Sequence, residues 1–426
     1  MTEDLTAPSL VERARAAEPA LTRSLIGRLT PAPASELREL ADAASSLDEP
    51  GAWDRYGEHG PVAALERRVA DLLGTPAAAM FPSGVMAQQA ILRVWCEARG
   101  SRHVAIPALS HLLKHESDGP RLLHGFEFAL LTDGPTVPQV EHLAAVRGRL
   151  AAALLELPLR DAGYLLPSWD ELVAFSAACR ERGVPLHLDG ARIWESAPQL
   201  GHTVAEIAAL VELPLRDAGY LLPSWDELAA FSQACRERGV PLHLDGARIW
   251  ESAPHLGHSV AEIAALSESV YVSFYKGLGG LSGAAVAGPE EEVAQARLWR
   301  HRMGGTLFSL MPYAVAALRG LDRELPRMAE YHERAVLLAQ RLEAHGIRVT
   351  PQPPHTNAFR IHVEREVADL DERRVVAMER ERARLSPPWS ASDLPGWAWT
   401  ELVVGPATMG WDVDEAVETL RRVFVD

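Results

Sequence analysis

Lysine is nearly absent from this chain. Of 42 basic residues only Lys114 and Lys276 are lysine, so arginine serves almost every position that wants a surface cation. Arg replaces Lys on a solvated face at little cost, but its guanidinium stays protonated and cannot condense with an aldehyde. A lysine that survives such a bias is informative. Cysteine is scarce as well: Cys96, Cys179 and Cys235 are too few for a disulfide framework or a Cys-based zinc site, and a reducing compartment follows. Positive charge is in deficit, with 58 acidic residues against 42 basic and a net charge of −16. That excludes the basic surface a nucleic acid or an anionic membrane requires. No run of roughly 18 apolar residues occurs. Residues 1–30 carry scattered charges where a signal peptide has its apolar core, so a cytoplasmic protein with no membrane partner is expected. What is present is ordinary for a globular chain, 47% hydrophobic and 23% charged over 426 residues. That length suits a large core and two domains.

An internal repeat dominates the organisation. Residues 154–209 recur at 210–265 with five differences: Leu155/Val211, Val173/Ala229, Ala177/Gln233, Gln199/His255 and Thr203/Ser259. Two copies are too few for a solenoid, so the unit reads as one supersecondary element copied into a fold that needs it once. Each copy reads as strand, turn, helix, strand, helix: LLELPL (154–159), a turn at DAG, a helix capped by Ser168 with Glu171, VPLHLDG (184–190), then HTVAEIAAL. Alternating β and α segments predict an α/β large domain whose mainly parallel sheet carries helices on both faces. The expected division is a helical arm over 1–50, a large domain over 51–305 and a smaller α+β C-terminal domain over 306–426.

The chemistry centres on Lys276, in S-F-Y-K-G-L-G-G, where a strand ends in a glycine-rich turn. Open α/β sheets place their ligands at such strand ends. The glycines do not make a dinucleotide loop, because G-x-G-x-x-G counted from Gly277 needs a glycine where Ser282 stands. A lysine there either closes a salt bridge or forms a Schiff base with an aldehyde cofactor. The repeat favours the second. H-L-D-G-A-R sets Asp189 and Asp245 at strand ends with Arg192 and Arg248 three residues on. A strand-end carboxylate can keep the pyridine nitrogen of pyridoxal phosphate protonated, and a nearby Arg can bind phosphate or carboxylate.

These residues resemble the threonine aldolase and β-eliminating lyase group of pyridoxal-phosphate enzymes, fold type I, from about Tyr56 to the C-terminus. The resemblance implies that Ser83, Gly84 and Val85 form the phosphate-binding turn at a helix N-terminus. It implies that His111, in A-L-S-H-L-L-K-H-E, stacks on the cofactor ring, and that Ser273 makes a further phosphate contact. Tyr56 resembles a residue near a subunit interface and Arg300 one near the phosphate, so a homodimer or homotetramer is implied. The expected activity is aldol cleavage of a β-hydroxy amino acid by Lys276, His111 and Asp245, with β-elimination of a β-substituted amino acid as the alternative. A protein that binds pyridoxal phosphate without turnover is a third reading, motivated by the repeat.

Two departures stand out. In threonine aldolases an Arg of the small domain grips the substrate carboxylate, yet no Arg occurs between Leu385 and Leu420, and Glu401 stands near that place. Arg248, Arg160 or Arg216 would have to supply the cation. The duplication also offers two aspartates for one ring. Asp245 and Arg248 are expected to serve, because their path to Lys276 keeps the family's length, with Asp189 on displaced structure.

Overall fold

The computed structural model describes residues 8–49, 51–114, 117–156, 159, 162, 167–184, 186–189, 220, 222–237, 243–392 and 394–426. Two compact units result: Ala43–Ala218 with Leu222–Arg323, and Met1–Asp42 with Gly219–Leu221 and Glu324–Asp426. The boundary thus follows residue 323 instead of 305. The N-terminal residues, expected as a separate arm, cluster with the C-terminal unit.

In the larger unit, helix α1 (Gly60–Leu73) has Pro61 in its first turn and stops at Gly74, whose left-handed backbone closes it onto Ala70. Its buried residues Val62, Leu65, Glu66, Val69, Ala70 and Leu73 repeat every three or four positions, as one buried helix face requires. Strand β1 (Ala77–Phe81) turns at Pro82 and Ser83 into helix α2 (Gly84–Ala98). Then come β2 (His103–Ile106), a short helix His111–Lys114, β3 (Glu127–Leu130) and β4 (Ala152–Glu156). The first copy of the repeat gives helix α3 (Trp169–Glu181) and β5 (Leu186–Asp189), and the second gives α4 (Trp225–Glu237), β6 (His243–Gly246) and α5 (Ile249–Leu256). Strands β7 (Ser269–Ser273) and β8 (Ala284–Gly288), then helices α6 (Glu290–Arg302) and α7 (Met311–Arg323), complete the unit.

The strands form two four-stranded sheets, in the orders β3-β2-β4-β5 and β1-β8-β7-β6. The first is wholly parallel, β6 and β7 are parallel, and β8 runs antiparallel to both its neighbours. Every residue of β7 and β8 is buried, as strands covered on both faces are. The mainly parallel α/β class expected from the sequence is therefore present, with one difference. The duplication supplies two copies of the strand H-L-D, and among the described residues each copy ends a different sheet.

The two copies divide the contacts of one. Strand β5 pairs with β4, and β6 pairs with β7. A parallel strand offers hydrogen-bonding groups to both its edges, so a single copy has an edge for each neighbour. The helices divide their anchors in the same way. Arg182, just after α3, donates to the carbonyls of Leu143 at 2.6 Å and Gly148 at 3.0 Å. In α4 it is Ser232 and Arg236 that donate, to Leu266 O at 2.6 Å and Ala265 O at 3.3 Å. These are different positions of the repeat, so one helix can make both sets. Excising residues 154–209 is accordingly expected to leave a folded chain in which one copy joins both sheets. Circular dichroism and a melting curve check this, with the midpoint expected within about 2 °C of the full chain, the equivalent of ~1 kcal/mol for a chain of this length.

The smaller unit is α+β. Strands β9 (Arg348–Thr350), β10 (Ala358–Val363), β11 (Ser390–Ala391) and β12 (Ala398–Val403) form an antiparallel sheet in the order β9-β10-β12-β11. Phe359, Ile361, Ala398, Thr400 and Leu402 are buried, while the alternate residues Arg360 and His362 are only partly so. Period-two alternation of this kind marks a sheet with one core face. The N-terminal segment is held by Gly27 donating to Val403 O at 2.6 Å and by Trp411 Nε1 donating to Ser24 O at 3.0 Å.

His362 gives this unit a pH dependence. Burial, then the nearby Arg360 and Arg348, push its imidazole down to about 4. In the unfolded chain a histidine titrates near ~6.5, so on acidification the unfolded state takes the proton first. The stability linked to neutral His362 is complete above the unfolded value and is lost as pH falls through that window towards 4. Melting curves from pH 7 to pH 4.5 are expected to show a shallower decline in His362→Gln than in the natural protein.

Candidate active site

The site grows from the parallel pair β6 and β7. His243, Leu244, Asp245 and Gly246 pair in register with Ser269, Val270, Tyr271 and Val272. Asp245 thus stands on the strand beside the one that leads to Lys276. Asp189 lies in the other sheet, opposite Glu156. Only the backbones of Asp189, Asp245 and His111 are described, and Arg192, Arg160 and Arg216 lie outside the described residues.

Beyond β7 the chain closes on itself. Gly280 donates to Phe274 O at 2.8 Å, Gly279 to Lys276 O at 3.1 Å, and Phe274 to Gly283 O at 3.1 Å. Gly279 has φ +64, the left-handed backbone that favours glycine. Lys276 is half-buried at the head of this turn. The turn is backed on one side by α7, where a side chain at Gly320 would collide with Leu278 O. On another side Gly277 lies so close to the Glu251 carboxylate that no Cβ fits.

Helix α5 holds the same turn. Trp250, fully buried, donates from Nε1 to Ser273 O at 3.1 Å. Glu251 Oε1 accepts the Gly277 N–H at 3.0 Å and Arg248 Nη1 at 3.1 Å. Arg248 is 8% exposed and precedes the helix. Ser273, 1% exposed, keeps a hydroxyl that makes no hydrogen bond among the described residues. Across the sheet, Ser83 caps α2 by accepting the Met86 N–H at 3.3 Å. Gly84 is pressed against the Tyr271 hydroxyl, where a Cβ would collide, and Val85 is 42% exposed. Tyr271 therefore sets β7, which leads to Lys276, against the start of α2, whose first N–H groups suit an anion.

Other expected residues sit differently. Arg300 is 3% exposed and donates from Nη1 to Glu66 Oε1 at 3.1 Å and Met80 O at 2.6 Å, so its charge is answered inside its own unit. Burial draws its pKa downward against the pull of Glu66. Tyr56 is exposed and packs edge-on against Phe308, with centroids 5.5 Å apart. The sequence reading missed what fixes this loop: Asp54, wholly buried, accepts Ser309 Oγ at 2.6 Å and the Leu310 N–H at 2.7 Å. In the smaller unit Glu401 is answered as well. Tyr220 donates to Glu401 Oε2 at 3.1 Å, and Arg360, opposite Glu401 in the β10–β12 register, comes within 3.8 Å. Arg360 also lies over the Trp399 ring at 3.9 Å. A cation is thus present in this unit, on β10, the strand next to the one that carries Glu401.

A lysine in a strand-end turn, an aspartate position on the adjacent parallel strand and a helix N-terminus set against that lysine's strand by Tyr271 suit pyridoxal phosphate, and the similarities to known proteins place the chain among the pyridoxal-phosphate-dependent lyases. Within that class the chain belongs to the family described as beta-eliminating lyase, whose model matches residues 32–213 and 218–366. It is 25% identical over 311 residues to the probable low-specificity L-threonine aldolase 2 of Arabidopsis thaliana, covering 73% of this chain and 74% of that one. A putative L-allo-threonine aldolase from Listeria monocytogenes superposes with a TM-score of 0.69 at 28% identity, over 98% of this chain and 99% of the other. A putative aromatic amino acid beta-eliminating lyase/threonine aldolase from Exiguobacterium gives 0.69 at 32%, over 97% and 100%.

The residues present fit pyridoxal phosphate. The buried Ser273 hydroxyl without a partner and the N–H groups opening α2 suit its phosphate, and Lys276 is a primary amine at a strand end. Among the described residues no helix is long and apolar enough to cross a membrane, and none form a metal-binding cluster.

Proposed function

We propose that this protein cleaves the Cα–Cβ bond of a β-hydroxy amino acid, giving glycine and an aldehyde. The observation that carries the reading is the pairing of Asp245 with Tyr271 on the strand that delivers Lys276. Similarity to threonine aldolases among the relatives supports the choice of reaction. Lys276 would hold the cofactor's aldehyde carbon until the substrate amine replaces it. Asp245 would keep the pyridine nitrogen protonated, and Ser83, Gly84, Val85 and Ser273 would bind the phosphate. The cofactor supplies an electron sink for the pair left on Cα. His111, on the short helix after β2, would stack on the ring and take the proton from the β-hydroxyl. Arg248 would bind the substrate carboxylate.

The second reading, β-elimination, uses the same groups, with Lys276 taking the Cα proton. Formation of glycine and aldehyde, against formation of ammonia and a ketoacid, separates the two. A cofactor band that no amino acid alters would favour a binding protein without turnover. A homodimer or homotetramer in the cytoplasm completes the proposal, with the exposed Tyr56 and Phe308 at the contact between subunits. Sedimentation of the purified protein tests that part.

A further inference from the structure

We propose that Glu251 is a positioning residue for Lys276, a single carboxylate oxygen fixing both the turn that carries the amine and the guanidinium of Arg248. The inference rests on the function proposed above. Glu251 is 1% exposed, and its Oε1 is shared between the Gly277 N–H at 3.0 Å and Arg248 Nη1 at 3.1 Å. Its Oε2 is enclosed and makes no hydrogen bond among the described residues.

A buried carboxylate with one idle oxygen is a poor way to stabilise a fold. Desolvating the charge costs several kcal/mol, and well-packed apolar residues often do as well as a buried ion pair. The link between α5 and the end of β7 does not depend on it, because Trp250 already makes that link through Ser273 O at 3.1 Å. What Glu251 adds is placement. Gly277 follows Lys276 directly, so a bond to its N–H sets where the lysine leaves the turn. The fit is close enough that a side chain at 277 would displace the Glu251 carboxylate. Glu251 lies in the first turn of α5, where the helix dipole favours a negative charge. The anchor for the substrate carboxylate and the lysine amine are thereby referenced to one atom.

The test uses Glu251→Ala and Glu251→Gln. Glutamine keeps an oxygen that can accept the Gly277 N–H but loses the charge that holds Arg248. Hydrogen exchange at Gly277 is read by mass spectrometry on cofactor-free protein, and pyridoxal phosphate affinity and steady-state constants are measured separately. In Glu251→Ala we expect exchange at Gly277 at least ~10-fold faster and cofactor affinity at least ~10-fold weaker, the size of a lost charge-assisted hydrogen bond. In Glu251→Gln both return to within ~3-fold of the natural protein while KM for the amino acid stays raised ~10-fold, with kcat little changed. A glutamine variant no better than alanine overturns the proposal, as does an alanine variant with unchanged exchange and affinity. If the alanine chain does not fold, glutamine alone decides: a raised KM at unchanged cofactor affinity supports the inference, and unchanged KM overturns it. Natural protein that takes up no pyridoxal phosphate removes the proposed function instead, and the exchange arm still reads the hold of Glu251 on the turn.

Discussion

Lys276→Ala will lower kcat/KM by at least ~10³-fold, the scale on which covalent and acid–base groups act. Lys276→Arg will be as inactive as the alanine variant. That second result separates two roles, because Arg keeps the charge of a salt bridge but cannot condense with an aldehyde. An arginine variant of near-natural activity would mean that position 276 supplies charge alone. Lys114→Arg is the control, since Lys114 ends the short helix His111–Lys114, and it is expected to be silent. With only two lysines in the chain, the three variants cover every candidate amine of a side chain.

Asp245→Asn will reduce turnover by at least ~10²-fold, while Asp189→Asn will stay within ~2-fold of the natural protein. The two aspartates have nearly identical sequence surroundings, so local sequence cannot rank them. Their strand pairing differs, and it favours Asp245 as the proposed partner of the ring: Asp245 is in register with Tyr271, five positions before Lys276, whereas Asp189 pairs with Glu156 in the other sheet. Absorbance titrations with pyridoxal phosphate and initial rates on the purified variants give both numbers. Loss of activity in the Asp189 variant with none in the Asp245 variant would reverse the assignment.

Much of this was legible in the sequence because the evidence is local. The turn at Ser83 and Gly84 that opens a helix, the capping box at Ser168 and Glu171, and the strand leading to Lys276 all fall where the sequence indicates them. Two sheets in place of one were not legible. Pairing joins segments far apart in the chain, and two equal copies of a strand compete for one place without a local mark. Asp54 was missed because its partners Ser309 and Leu310 lie more than 250 residues away. Arg360 was missed because the search for a cation followed one strand, whereas an antiparallel neighbour brings Arg360 opposite Glu401. Glu251 carried a readable signal, three residues after Arg248, a spacing at which ion pairs form on a helix. Its bond to Gly277 had none. The pairing of Arg300 with the buried Glu66 was not legible, because residue type does not show which partner a guanidinium faces.

The central claim is one covalent attachment, and mapping it is the most direct test. The purified protein is incubated with pyridoxal phosphate, reduced with borohydride, digested and analysed by peptide mass spectrometry. The account predicts a pyridoxyl tag on Lys276. A tag on Lys114 alone, or no tag on either lysine, would contradict it.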